Sequence, residues 1–316
     1  MHIDAQIDVG VGPSDIGLNN HNARVTSKLV DVGDVTLHCV LAGPSDGDVV
    51  LLLHGFPEFW YEWHEYILPL AAAGYRVVVP DQRGYHRSER PDAISAYHLD
   101  ALATDICGIL DAIGAKKTHI VGHDWGAFVS WWVALHHPAR LRTLSVINVP
   151  HPTAFKQTLW RNPKQVLRSW YVGFFQLPRV PEALAQVGNW ASVTAMMQRS
   201  SRDGTFDSTD FERYRTAWGL DGAYEAMINW YRAVVRSNPQ PVQTQISTPT
   251  MLLWGAQDTF LTRSLAEKSA QYCTNSEVVM FEQATHWITH EEQTQVQNRL
   301  LDHFNSAHKI THQKRH

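Results

Sequence analysis

Short apolar, β-branched runs recur along the chain at Thr26–Asp31, Val35–Leu41, Val49–Leu53, Arg76–Val79, Thr118–Val121, Leu144–Ile147, Thr250–Trp254 and Glu277–Phe281. Val49-Val50-Leu51-Leu52-Leu53 is apolar on both faces of an extended chain. That is the pattern of a central strand covered by helices on each side. Between the runs the apolar period lengthens. Leu99, Leu102, Ile106, Ile109, Leu110 and Ile113 fall on one stripe of a helix over His98–Ile113. Trp125–His136 is apolar nearly all round and stops before Pro138, which predicts a buried helix. Strand and helix alternate through most of the chain, so the pattern predicts an α/β fold with a mostly parallel central sheet flanked by helices.

The rhythm breaks from 151 to 241. That stretch carries helix-like segments without a convincing strand, and prolines punctuate both ends at Pro150, Pro152, Pro239 and Pro241. It reads as a helical cap inserted after the sixth sheet strand, over a core formed by 25–150 and 242–307. The sheet is expected to resume over Ile246–Trp254. Residues 1–24, rich in Asp, Gly and Asn, read as an irregular N-terminal arm, and 308–316 as a solvated basic tail.

Composition narrows the function classes. A chain of 316 residues with 44% hydrophobic positions, 12 Trp, 10 Tyr and 11 Phe has material for a large core and does not read as disordered. A net charge of −4 gives no footprint for nucleic acid. The cysteines Cys39, Cys107 and Cys273 are odd in number and lack metal-ligand spacing, so neither a disulfide framework nor a metal site is expected. The first residues lack a signal-peptide pattern, and no apolar run approaches the length needed to span a bilayer. The expectation is a soluble cytoplasmic protein.

The strongest local signal is Gly122-His123-Asp124-Trp125-Gly126, between a buried strand and a buried helix. A sharp turn there lifts one side chain above the sheet, and glycines flank it because side chains beside the turn would collide. The plain alternative is an Asp capping the helix that begins at Trp125. His54-Gly55-Phe56-Pro57 follows the first central strand, Trp254-Gly255-Ala256-Gln257-Asp258 ends a later one, and Thr285-His286-Trp287 follows the last. The chain order Asp124, Asp258, His286 is that of a nucleophile, an acid and a histidine at successive strand ends.

With Asp81-Gln82-Arg83-Gly84-Tyr85, these motifs resemble those of the epoxide hydrolases of the α/β-hydrolase superfamily, close relatives of the haloalkane dehalogenases. The resemblance covers roughly residues 25–305. It implies Asp124 as nucleophile, His286 as base oriented by Asp258, and the backbone N–H groups of Phe56 and Trp125 as an oxyanion hole. It also implies two phenols from the cap. Tyr231 lies in Asn229-Trp230-Tyr231-Arg232, and Tyr171 precedes Phe175-Gln176-Leu177-Pro178. Phe56, Trp125, Phe155, Trp160 and Phe174 are candidates for an apolar pocket. The activity implied is conversion of an apolar aryl or alkyl epoxide and water to a vicinal diol, without cofactor or metal, by a monomer or homodimer.

Three other readings compete. A haloalkane dehalogenase shares the Asp nucleophile but needs a second halide donor, for which Trp160, Trp170 or Trp190 are candidates. A fluoroacetate dehalogenase places Arg after the nucleophile, where this chain has Trp125. A non-catalytic ligand receptor on the same fold commonly loses part of the catalytic set, which is complete here. The remaining candidates read as structural: Asp81-Gln82-Arg83-Gly84 as a turn, His123 as a locally bonded neighbour of the elbow, and His151 at the cap hinge. Asn148 stands where some relatives place the acid, and an amide cannot carry that charge.

Overall fold

The computed structural model describes residues 12–16 and 25–313. Most of the expected N-terminal arm and the last three residues lie outside them. Eight strands form one sheet: β1 (Thr26–Asp31), β2 (Thr36–Ala42), β3 (Val49–Leu53), β4 (Arg76–Pro80), β5 (Thr118–His123), β6 (Leu141–Ile147), β7 (Thr250–Gly255) and β8 (Ser276–Phe281), in the order β1-β2-β4-β3-β5-β6-β7-β8. β2 runs antiparallel to both neighbours, and every pair from β4 onward along that order is parallel. β3 and β5 are buried at every position, as a strand covered on both faces requires.

The flanking helices are α1 (His64–Ala72), α2 (Leu99–Ala112) and α3 (Trp125–His136), with α11 (Ser264–Ala270), α12 (Ile288–Glu291) and α13 (Gln293–Gln313) after β7. α1 packs with α13 and α2 with α3, and both pairs lie against the sheet. In α2 the apolar stripe is buried, while His98 stands just outside as the N-cap and accepts the Ala101 N–H through its ring at 3.1 Å. α3 is buried almost end to end, which its lack of a polar face demands.

Between β6 and β7 lie only helices: α4 (Pro152–Arg161), α5 (Pro163–Arg168), α6 (Trp170–Phe174), α7 (Val180–Gln186), α8 (Ala191–Ser200), α9 (Ser208–Trp218) and α10 (Ala223–Ser237). Boundaries differ from expectation most at β6, which starts at Leu141 rather than Leu144, at β7 and at the C-terminal helix. The sheet resumes at Thr250 rather than Ile246, which makes one isolated bridge to Cys273. Pro249 has no N–H to continue the ladder. The backbone of α13 runs helical to Gln313, into the stretch expected to be a tail.

Candidate active site

The carboxyl ends of the parallel strands carry the polar side chains, where open α/β sheets bind ligands. Asp124 sits between β5 and α3 at φ 46° and ψ −121°, a conformation that costs a non-glycine residue energy. The surroundings leave no alternative. A Cβ on Gly126 would lie 2.1 Å from the Leu53 carbonyl oxygen, and one on Gly122 would lie 2.3 Å from the Gly126 carbonyl oxygen. The glycines let α3 start directly against β3 and β5, and the turn between them lifts the Asp124 carboxylate clear.

That carboxylate is held from two sides. The Phe56 N–H donates to Oδ1 at 2.8 Å, and His286 Nε2 stands 3.5 Å from Oδ2. His286 Nδ1 meets Asp258 Oδ2 at 2.7 Å. Asp258 is itself fixed: its Oδ1 accepts the N–H groups of Phe260 at 2.6 Å and Leu261 at 2.9 Å, and its Oδ2 accepts the Asn148 side-chain amide at 2.7 Å. Asn148 therefore serves the acid it was compared with, and its Oδ1 accepts the Gly255 N–H at 2.8 Å.

The charges follow from this placement. Burial opposes ionisation of Asp124, but hydrogen bonding and charge from His286, then His123 and the Phe56 N–H, hold its carboxyl below the usual range. Burial likewise opposes the His286 cation, yet Asp258 and Asp124 raise its pKa to about 10. The resting site is an imidazolium between two carboxylates.

Tyr171 on α6 and Tyr231 on α10 face each other with ring centroids 5.9 Å apart, and Tyr231 stands edge-on to Phe56 and Trp125 at 5.3 and 4.9 Å. The Trp125 indole donates to the Tyr231 hydroxyl oxygen, which leaves the phenolic proton free. Burial and the nearby Asp124 charge push both phenols up, so they stay protonated. The two segments carrying these tyrosines are tied together. Arg232 donates to the carbonyls of Phe175 at 3.0 Å and Leu177 at 2.8 Å, and Gln176 donates to the Tyr231 carbonyl at 3.1 Å. Arg232 also pairs with Glu182 at 2.7 Å, and the Trp230 indole donates to the Arg83 carbonyl at 3.0 Å. The residues flanking each tyrosine thus fix it over the sheet.

A cavity of about 450 Å³ joins Phe56, Asp124, Tyr171, Tyr231 and His286, with Phe175, Phe260, Met196, Trp287 and Thr259 completing the wall and Leu167, Arg168 and Trp170 at its edge. Of the other pocket candidates, Trp125 is buried behind Tyr231 rather than on the wall. Trp160 is 84% exposed, on the side of α4 opposite the buried Ala154 and Thr158. Phe155 packs half-buried against the core and lies outside the wall. Phe174 packs against Trp170 at 6.0 Å, and one helical step turns Phe175 into the cavity instead.

Pattern reading missed a buried network beneath the triad. Glu62 Oε1 meets His123 Nδ1 at 2.8 Å, Glu62 Oε2 accepts the Gly55 N–H at 3.0 Å, and His123 Nε2 donates to the His286 carbonyl at 2.9 Å. Glu58 holds His290 Nε2 at 2.8 Å and the Tyr214 hydroxyl at 2.5 Å. The available signal was a pair of acids four apart inside an aromatic run, Glu58-Phe59-Trp60-Tyr61-Glu62-Trp63. The Asp81 turn is a second buried cluster. Asp81 Oδ2 accepts from His38 at 2.7 Å and His86 at 2.8 Å, and Arg83 forks onto Asp105 at 2.6 and 2.8 Å. His151 caps α4 and stacks on Tyr272 at 4.6 Å.

A family model described as alpha/beta hydrolase fold matches residues 48–293. Human Epoxide hydrolase 4 is 37% identical over 270 residues, 84% of this chain and 74% of that protein. The chain belongs to the epoxide hydrolases of the α/β hydrolase fold family. AB hydrolase superfamily protein YfhM of Bacillus subtilis (strain 168) is 39% identical over 279 residues, 88% of this chain and 98% of that one. The crystal structure of Bacillus megaterium epoxide hydrolase in complex with an inhibitor superposes with a TM-score of 0.81 at 26% identity, covering 88% of this chain and all of that one. Among the described residues, no helix is long and apolar enough to cross a membrane.

Proposed function

We propose that this chain hydrolyses epoxides to vicinal diols through an alkyl ester on Asp124, with the helices of 151–241 acting as a cap that supplies the acid. The observation that carries the reading is the division of labour at Asp124. Oδ1 is held by the Phe56 N–H, Oδ2 is left facing His286, and two protonated phenols stand in the same cavity. An epoxide opens when a nucleophile attacks carbon from behind the C–O bond while a donor meets the charge growing on oxygen. Oδ2 attacks carbon, the C–O bond breaks, and Tyr171 or Tyr231 gives its proton to the departing alkoxide.

The ester formed has no charge on Asp124, so His286 loses one of the two carboxylates that favour its cation. The imidazolium then gives up its proton more readily, that proton restores the phenolate left on the donor tyrosine, and the neutral imidazole becomes a base. Water, deprotonated by Nε2, attacks Cγ of Asp124. The developing oxyanion is Oδ1, between the Phe56 and Trp125 N–H groups; the Cγ–Oδ2 bond then breaks as the departing alkoxide takes back the proton held by His286. The diol leaves with Oδ2, and the water oxygen stays on Asp124. Water is the only co-reactant in this scheme, and the aromatic wall suits an apolar aryl or alkyl epoxide.

Halide chemistry is less well supported: Trp125 lies behind Tyr231 rather than on the wall, and Trp287, which is on the wall, spends its N–H on Ser200 Oγ at 2.9 Å. Trp160 points to solvent, Trp190 packs on Trp218 and Tyr224, and Trp170 stands at the edge. The test is intact mass of His286→Gln after exposure to styrene oxide. A species heavier by one substrate supports the scheme; an unmodified chain, under conditions where wild type makes diol, rejects it.

A further inference from the structure

We infer that the outer face of α4 to α7 docks on an anionic lipid surface. Every large apolar side chain left exposed among the described residues, Val235 and Val242 apart, falls between Trp160 and Val187. Trp160 is 84% exposed, Leu167 73% and Trp170 66%. Val180 and Leu184, four apart, lie on one side of α7, and Val187 stands at its C-cap. Exposed large apolar side chains concentrated in one stretch of chain in this way mark an interaction site.

Charge says what covers it. Over α4 to α7 the chain has one acid, Glu182, which is paired with Arg232, and carries Lys156, Arg161, Lys164, Arg168 and Arg179, in a protein whose net charge is −4. Among the described residues none of these five forms an ion pair, although Arg168 donates to the Asp258 carbonyl at 2.9 Å and Lys156 to Gln240 Oε1 at 3.3 Å. Tryptophan and leucine beside unpaired Lys and Arg is the composition of a face that lies in the headgroup region of an anionic bilayer. A second copy of the chain fits poorly, because a two-fold interface would set this cationic face against itself.

The cavity opens here too. Leu167, Arg168 and Trp170 belong both to its wall and to this face. A docked protein therefore presents the mouth of its cavity to the layer where apolar molecules partition. That consequence rests on the proposed epoxide chemistry; the docking does not.

The test is co-sedimentation of the full chain with vesicles of phosphatidylcholine alone or mixed with phosphatidylglycerol, at low and high salt. The expected result is binding to the mixed vesicles, weakened by salt, with little on the neutral ones. The Arg161→Gln/Lys164→Gln pair should weaken it roughly 25-fold, at about fivefold per cation. Trp160→Ser/Val166→Ser should weaken it as well, and all these positions are exposed and outside the cavity wall. Absence of wild-type binding at low salt, or equal binding to neutral vesicles, overturns the proposal. So does a concentration-dependent dimer that Trp160→Ser/Val166→Ser dissolves in the absence of vesicle binding, which would assign the face to a second copy. Sedimentation reads no turnover, so a chain that binds vesicles but opens no epoxide would sink the functional reading alone.

Discussion

Replacing Asp124 by Asn removes the negative charge that stands 3.5 Å from His286 Nε2 while keeping the shape of the side chain. At an effective dielectric of ~20 that separation corresponds to roughly 4–5 kcal/mol of attraction, an upper figure for a site water reaches in part. Screening that halves it leaves about 2–3 kcal/mol, or a titration midpoint lower by about two pH units. The His286 imidazole, raised to about 10 in the wild type, should therefore titrate well below that in Asp124→Asn. The assay is a pH series of imidazole nitrogen spectra on uniformly labelled protein, with the signal assigned by its loss in His286→Gln. The same pair enters stability. An unfolded histidine titrates near ~6.5, so the stabilisation from the raised folded value is complete below that pH and is lost as pH rises through about 10. Wild type should lose more unfolding free energy than Asp124→Asn across that window. A His286 midpoint that stays near the wild-type value in the variant would refute the reasoning, and with it the idea that esterification of Asp124 releases the base.

Tyr171→Phe and Tyr231→Phe should each slow ester formation by about 10²–10³, read as single-turnover consumption of epoxide, and the double variant should form no ester. Gly126→Ala drives a Cβ to 2.1 Å from the Leu53 carbonyl oxygen, so its urea midpoint should fall by the equivalent of ~3 kcal/mol or more. Gly173→Ala meets nothing within 4 Å and should leave that midpoint unchanged or slightly higher. Arg232→Met abandons Glu182 and the Phe175 and Leu177 carbonyls, and should cost ~3–5 kcal/mol in the same measurement.

The sheet and the elbow were legible because their signals are local. Five consecutive apolar residues at Val49–Leu53 have only one place to go in an α/β protein, and glycines two residues either side of Asp124 announce a turn that tolerates no Cβ nearby. Chain order placed Asp258 and His286 at strand ends, and the structure brings His286 to Asp124 and Asp258 to His286. The cavity wall was harder to read. On helices of five to ten residues an aromatic residue is as free to face solvent as the interior, and Trp160 and Phe174 both turn away where a neighbour turns in. The Glu62–His123 pair was illegible for another reason. A carboxylate amid tryptophans reads as an exposed exception until its partner, 61 positions on, is seen beside it.

In the proposed scheme Asp124 is the atom source for the new hydroxyl. A single turnover with enzyme in excess over styrene oxide, run in heavy-oxygen water, tests it directly. The account predicts a diol carrying only ordinary oxygen and an Asp124 peptide that has gained the label. Heavy oxygen in the first-turnover diol would mean that water attacked the epoxide itself, and would contradict the account.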